Sequence, residues 1–126
     1  MGNPRDNTGV NVETEKMLHD LVEEVVDTVA AFDGRLTYTP MSADGTCVLT
    51  FSTRNDQVHL WIHARVHEEN RVEISFQCSE DNATTEQRNV AFSGLFDQTA
   101  IRHHLGTGLA DWYGRAVRQQ RSHDAK

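Results

Sequence analysis

The chain has 126 residues, 37% hydrophobic and 25% charged, which is typical of one globular domain with a single core and excludes a disordered chain. Its 19 acidic side chains outnumber the 12 basic ones, so the formal charge is −7. The basic residues are scattered, apart from Arg115, Arg118 and Arg121. Nucleic acids and anionic membranes attract clustered basic residues, so neither is an expected partner. The negative charge of the chain would instead attract a basic protein.

The chain contains no stretch approaching the roughly 20 apolar residues that a membrane-spanning helix needs. Its first residues lack the apolar segment of a secretory signal. We therefore expect a cytoplasmic protein without a membrane partner. The composition predicts flexible tails at residues 1–10 and 122–126, which flank a single α+β domain over residues 11–121.

The first predicted element is a helix from about Val12 to Phe32. Apolar side chains recur there every three or four residues and form one stripe. The stripe consists of Leu18, Leu21, Val22, Val25, Val29 and Phe32. Gly34 is the residue type that commonly ends a helix in the left-handed conformation, so we expect it to terminate this one.

After residue 34 the apolar period changes from 3.6 to 2, which is typical of strands. Four alternating segments follow, near residues 35–39, 46–52, 58–66 and 72–78, and polar turn residues separate them at 42–45, 54–56 and 68–70. This order predicts an antiparallel meander with one buried face. A fifth, short strand is predicted at residues 90–92.

The last predicted element is a helix that begins after Asp97 or Thr99. Gly106-Thr107-Gly108 lies inside it, and two glycines cost about 2 kcal/mol relative to alanine, so a break there is as compatible with the sequence as a continuous helix. The predicted architecture is therefore α-β-β-β-β-(β)-α in two layers. Its order of elements is similar to that of small secretion chaperones, with no shared motif.

The two cysteines, Cys47 and Cys78, fall on the core side of their strands. Matching the apolar faces places Cys47 opposite Ala64 and Cys78 opposite Leu60. Strand geometry then separates the cysteines by roughly 16 Å, far beyond the reach of a disulfide. We expect two free thiols, and no nucleophilic role for either, because a reactive cysteine needs an exposed, electropositive site.

The other side of the third strand does not have the composition of a core. It carries His59, Trp61, His63, Arg65 and His67. The predicted neighbours of these residues are Val48, Thr50, Glu73, Ser75 and Gln77. An aromatic residue among arginine and adaptable polar groups is typical of the centre of a protein interface. Two other interpretations stay open: a solvated face on which Arg65 pairs with Glu73, and a face covered by the C-terminal helix.

The histidines of this strand do not predict a metal site. His59 and His63 lie four residues apart on a strand, or about 13 Å, whereas each zinc ligand lies ~2 Å from its metal. The sequence contains no Cys-x-x-Cys, no His-Glu-x-x-His, no phosphate loop and no dinucleotide motif. We therefore predict no metal, no cofactor and no catalytic residue.

Two functional classes remain. The favoured one is a non-enzymatic module that binds a protein or forms a homodimer, as a small acidic chaperone, inhibitor or immunity-type protein would. Its partner-binding residues would be Trp61, His63, Arg65, His59, Thr50 and Gln77.

The alternative is a small-molecule or metal-binding domain, with or without a catalytic activity, that has a pocket between the sheet and the C-terminal helix. Tyr38, His103 and Trp112 would line that pocket. A break at residues 106–108 would open it, and we expect a straight helix to close it.

Overall fold

The computed structural model describes residues 12–54, 57–79 and 88–124. Its elements are α1 (Val12–Ala30), β1 (Leu36–Tyr38), β2 (Thr46–Ser52), β3 (Gln57–His67), β4 (Arg71–Ser79), β5 (Arg88–Leu95) and α2 (Gln98–Asp124), with a short 3₁₀ turn at Glu68–Asn70. The α+β class with a helix at each end is confirmed. The predicted tail at residues 1–10 lies outside the described residues, and α2 extends past the domain end predicted at residue 121.

The five strands form one sheet in the order β1-β2-β3-β4-β5, and each strand pairs antiparallel with the next. This is the predicted meander. The fifth strand, Arg88–Leu95, is longer than the predicted 90–92, and a bulge interrupts the alternation of its residues. Ile74 pairs with Phe92 while Ser75 pairs with Val90, which leaves Ala91 as the extra residue.

Both helices pack on the same face of the sheet and share one hydrophobic core with it. The fully buried helix residues are Leu18, Val22 and Val26 from α1 and Ile101, Leu105 and Leu109 from α2. The strands contribute, among others, Cys47, Leu49, Phe51, Leu60, Ile62 and Ile74. The interpretation that α2 covers the Trp61 side of the sheet is therefore wrong, because the apolar stripe of α2 lies on the core side.

The first helix ends at Ala30, two residues before Phe32, which is 81% exposed. The N–H groups of Phe32 and Asp33 donate to the carbonyls three residues earlier, at 3.1 and 3.5 Å. This tighter final turn rotates Phe32 away from the stripe. Gly34 is not in the left-handed region, so its predicted role as the helix terminator is also wrong.

The register between β2 and β3 differs from the predicted one by two residues. Cys47 pairs with Ile62 and not with Ala64, whereas Cys78 does pair with Leu60. The β2–β3 ladder ends with Ser52 opposite Gln57, so the turn is centred one residue earlier than the apolar match implied. A shift of two residues keeps every side chain on its predicted face. Cys47 and Cys78 are not joined by a disulfide, as predicted.

The last helix runs without a break through residues 106–108. Asp97 caps its start, since its carboxylate accepts from the N–H of Ala100 at 3.1 Å. Gly108 faces the sheet, and a Cβ there would lie less than 3.0 Å from the ring of Phe76. A Cβ at Gly106 would meet nothing within 4 Å. The two glycines therefore have different roles: only Gly108 permits a close approach of α2 to β4.

This difference predicts unequal effects of two neighbouring substitutions on stability. Gly106→Ala should raise the free energy of unfolding by about 1 kcal/mol, because alanine favours the helix and meets open space. Gly108→Ala should be less stable than Gly106→Ala by about 1–3 kcal/mol, because the Phe76 ring must move. Urea denaturation of both variants measures the difference. Equal gains would contradict this account of the helix–sheet contact.

Candidate functional site

The side of the sheet opposite the helices, here called the outer face, collects the predicted partner-binding residues. Burial alternates along β2 and β3, so one residue in two points away from the core. The described outer-face residues of the three central strands are Thr46, Val48, Thr50, Ser52, Gln57, His59, Trp61, His63, Arg65, His67, Arg71, Glu73, Ser75 and Gln77. The structure thus brings all six of the predicted residues to one surface.

Trp61 lies at the centre of the outer face and does not belong to the core. It pairs across the strands with Val48 on β2 and Gln77 on β4. Its side chain is half-buried. The His59 ring lies 5.6 Å from the indole ring at a tilt of 52°. His59 is itself held by Thr50, whose hydroxyl lies 2.9 Å from Nδ1. The indole is therefore positioned by the surrounding strands and is not a freely rotating surface residue.

A second chain of polar contacts crosses the outer face beside Trp61. The hydroxyl of Thr46 lies 3.3 Å from His63 Nδ1, and His63 Nε2 lies 3.2 Å from Gln77 Oε1. A neutral imidazole with its proton on Nε2 satisfies both contacts, since it accepts from the threonine and donates to the glutamine. Three strands are linked in this way, so the polar groups have defined positions before any partner binds.

The charges on the outer face differ from those of the whole chain. Among its described residues on β2, β3 and β4, Arg65 and Arg71 are the cations and Glu73 is the carboxylate. Glu73 lies opposite Arg65 in the ladder, as predicted, but its carboxylate contacts His67 Nε2, at 3.2 Å. The acidic residues concentrate instead on α1, as Glu13, Glu15, Asp20, Glu23, Glu24 and Asp27. The expectation of a basic partner therefore does not apply to this surface.

A cavity is present where the alternative hypothesis placed its pocket, but only two of the three predicted residues line it. A cavity of about 460 Å³ lies between α2 and the β4–β5 side of the sheet, and His103 and Trp112 line it. Tyr38 lies on β1, at the opposite edge of the sheet, and does not line the cavity. Its hydroxyl donates to Asp27 at 2.9 Å, and this hydrogen bond raises the pKa of Tyr38. The structure brings two of the three predicted residues together.

The expectation that a straight helix closes this cavity is wrong, because α2 is continuous and the cavity is present. Most of the residues that line the cavity were not predicted from the sequence. They include Leu60, Phe76, Cys78, Asn89, Ala91, Thr107, Gly108, Asp111 and Arg115. The one local signal was Gly108, a glycine that a regular helix does not require.

Cys47 lies in the core, and its side chain is fully buried. Burial raises the pKa of the Cys47 thiol to about 11, and the thiol donates to the Thr39 carbonyl at 3.1 Å. Such a thiol is not a nucleophile near neutral pH. Within residues 12–54, 57–79 and 88–124, no group of three or more His, Cys, Asp and Glu side chains could hold a metal ion.

Neither described helix combines the length and the apolar character that crossing a membrane requires. The outer face and the cavity together contain every predicted site residue except Tyr38. Comparison of the chain with protein-family models, with curated proteins and with solved structures gave no match.

Proposed function

We propose that the chain is a non-enzymatic binding protein that holds a protein partner, or a second copy of itself, on the outer face around Trp61. One observation carries this proposal. Both helices lie on one side of the sheet, and the other side presents a half-buried indole within a network of cross-strand contacts. In the described chain no helix covers that side.

The energetics of binding favour such a surface. Tryptophan and arginine are enriched among the residues whose truncation costs most at interfaces, and the outer face carries both Trp61 and Arg65, four residues apart on β3. Association also loses free energy when mobile side chains become ordered. His59, His63 and Gln77 already contact their neighbours, so less of that cost remains. The outer face combines an anchor residue with side chains that are already positioned.

A second copy of the chain is the partner to test first. Two copies that meet through their outer faces keep the acidic α1 helices on the far sides of the pair, with both sheets between them. The charges on the outer face itself are few and of both signs. Repulsion from the formal charge of −7 is therefore reduced in this arrangement relative to a contact through α1.

Trp61→Ala tests the proposal. Removing an anchor residue at the centre of an interface costs about 2 kcal/mol or more, which weakens association roughly 30-fold. Sedimentation velocity over a concentration series should show native dimers and predominantly monomeric Trp61→Ala at the same concentration. Affinity capture from the native host, with native and variant protein as baits, extends the test to a different partner.

The matched control is Phe32→Ala, which removes an exposed aromatic side chain from the α1–β1 connection and leaves the outer face intact. This variant should sediment like the native protein. A native chain that is monomeric throughout the series and that retains the same host proteins as Trp61→Ala would contradict the proposal.

A further inference from the structure

The cavity between α2 and β4–β5 is a second candidate site. It lies on the helix side of the sheet, opposite the outer face. Its volume of about 460 Å³ falls within the range of roughly 300–1,000 Å³ that small-ligand sites occupy. Leu60, Phe76 and Trp112 supply apolar walls. His103, Thr107, Asp111 and Arg115 lie on the helix side and supply polar groups. A closed apolar end with a polar opening is the usual form of a site for a small amphipathic molecule.

Two local irregularities build this cavity. The bulge at Ala91 allows the consecutive residues Asn89, Val90 and Ala91 to line it, whereas a regular strand would present only alternate residues. Gly108 allows α2 to approach the Phe76 ring without a Cβ between them. Bulges and helix glycines each disfavour the element that contains them. Sites where local preferences are broken are often functional sites.

The exposed polar residues that line the cavity, including Asp111 and Arg115, indicate the chemical class of ligand that would fit. The side chain of Arg115 is 57% exposed, and its Nε lies 3.4 Å from Asp111 Oδ2. This ion pair is made through Nε, and the guanidinium carries two further amino groups with the geometry to donate to a carboxylate. Arg115 belongs to the same cavity as the indole of Trp112, which is 2% exposed, and the half-buried ring of Phe76. Aromatic walls favour a flat apolar body.

We infer that the cavity binds a small monocarboxylate with an aromatic body. The aromatic body lies against Phe76 and Trp112, and the carboxylate accepts hydrogen bonds from Arg115 at the opening. Binding of this kind needs no metal and no covalent step. It also does not depend on the outer face, so a negative result at one site does not contradict the proposal for the other site.

The two tryptophans of the chain permit a specific measurement. Trp61 lies on the outer face, so Trp61→Phe leaves Trp112 as the single indole, and its fluorescence reports on the cavity. Phenylbutyrate and phenylbutanol share one apolar body and differ in the carboxylate. Phenylbutyrate should change Trp112 emission saturably and bind about fivefold more tightly than the alcohol, the factor expected from an exposed ion pair.

Two substitutions in the Trp61→Phe background test the role of Arg115. Arg115→Gln should remove the preference for the acid and leave the affinity for the alcohol unchanged. Arg118→Gln is the matched control, because Arg118 lies on the same helix outside the cavity lining. It should retain the preference. Equal affinity for the acid and the alcohol before any arginine is changed, or equal effects of the two arginine variants, would overturn the inference.

Thr107→Phe provides an independent check by filling the opening of the cavity. Thr107 is exposed, so the variant should keep the native circular dichroism spectrum. Both probes should then lose their effect on Trp112 emission. An emission change that persists in this folded variant would show that the probes bind elsewhere, and it would overturn the assignment of the cavity as the site.

Discussion

Gly45→Ala is expected to lower the free energy of unfolding by about 2–4 kcal/mol, the sum of a backbone penalty and a steric one. Gly45 has a φ of +83°, which disfavours any residue with a Cβ. An added Cβ would also lie less than 3.0 Å from the main-chain oxygen of Ala64, which cannot move aside like a side chain. The carbonyl of Gly45 accepts from the Ala64 N–H at 2.8 Å, so the β1–β2 turn is tied directly to β3.

Gly34→Ala is the control for this substitution. Gly34 is not in the left-handed region, and a Cβ there would meet nothing within 4 Å. Its replacement should change the free energy of unfolding by no more than about 1 kcal/mol, with stabilisation expected because the unfolded chain loses freedom. Urea denaturation measures both variants. Similar small effects at the two positions would show that the contact between Gly45 and Ala64 does not constrain the turn.

Phe51→Ala is the second substitution with a large expected effect, a loss of about 3–5 kcal/mol. The Phe51 ring is completely buried. Tyr113 from α2 meets it edge-on with the ring centres 6.0 Å apart, and the Arg35 guanidinium lies 4.8 Å from its centre. Removing the ring leaves a void between β2 and α2 and also removes the surface against which these two side chains pack.

Asp33 holds together the two side chains that pack against Phe51. Asp33 accepts hydrogen bonds from Arg35 at 2.8 Å and from the hydroxyl of Tyr113. These two bonds, Arg35 first, hold the pKa of the Asp33 carboxyl well below its usual range. The ionised carboxylate is therefore favoured by folding, and its contribution to stability is present above the ordinary carboxyl pKa and is lost as the pH falls towards the lowered one.

Phe32→Ala is the matched control for Phe51→Ala. Both substitutions remove the same ring, but Phe32 is 81% exposed, so its loss should change the free energy of unfolding by less than about 0.5 kcal/mol. Thermal and urea unfolding measure the pair. A loss at Phe51 as small as that at Phe32 would contradict the assignment of Phe51 to the core.

The composition of the outer face could be predicted from the sequence because strand periodicity is a local property. Along β3 the buried residues Leu60, Ile62 and Ala64 alternate with Trp61 and His63, and this alternation places the last two residues on the opposite side. The two-residue register shift between β2 and β3 did not disturb this result, because a shift of two preserves the face of every residue.

The cavity could not be predicted in the same way because distant segments form it. Leu60 on β3, Ala91 on β5 and Arg115 on α2 meet there only after the sheet and α2 pack. The bulge that exposes Ala91 is a mismatch between two strands and cannot be detected in one strand alone. The position of Tyr38, at the other edge of the sheet, likewise depends on strand order.

By itself the sequence determined the two helices, the antiparallel meander and the side of the sheet on which Trp61 lies. These depend on the spacing of apolar residues, which each segment carries within itself. Only the tertiary structure decided that α2 joins α1 on the core side and that a cavity remains beside an unbroken helix. Those features arise from packing between segments far apart in the chain, and local periodicity contains no information about such contacts.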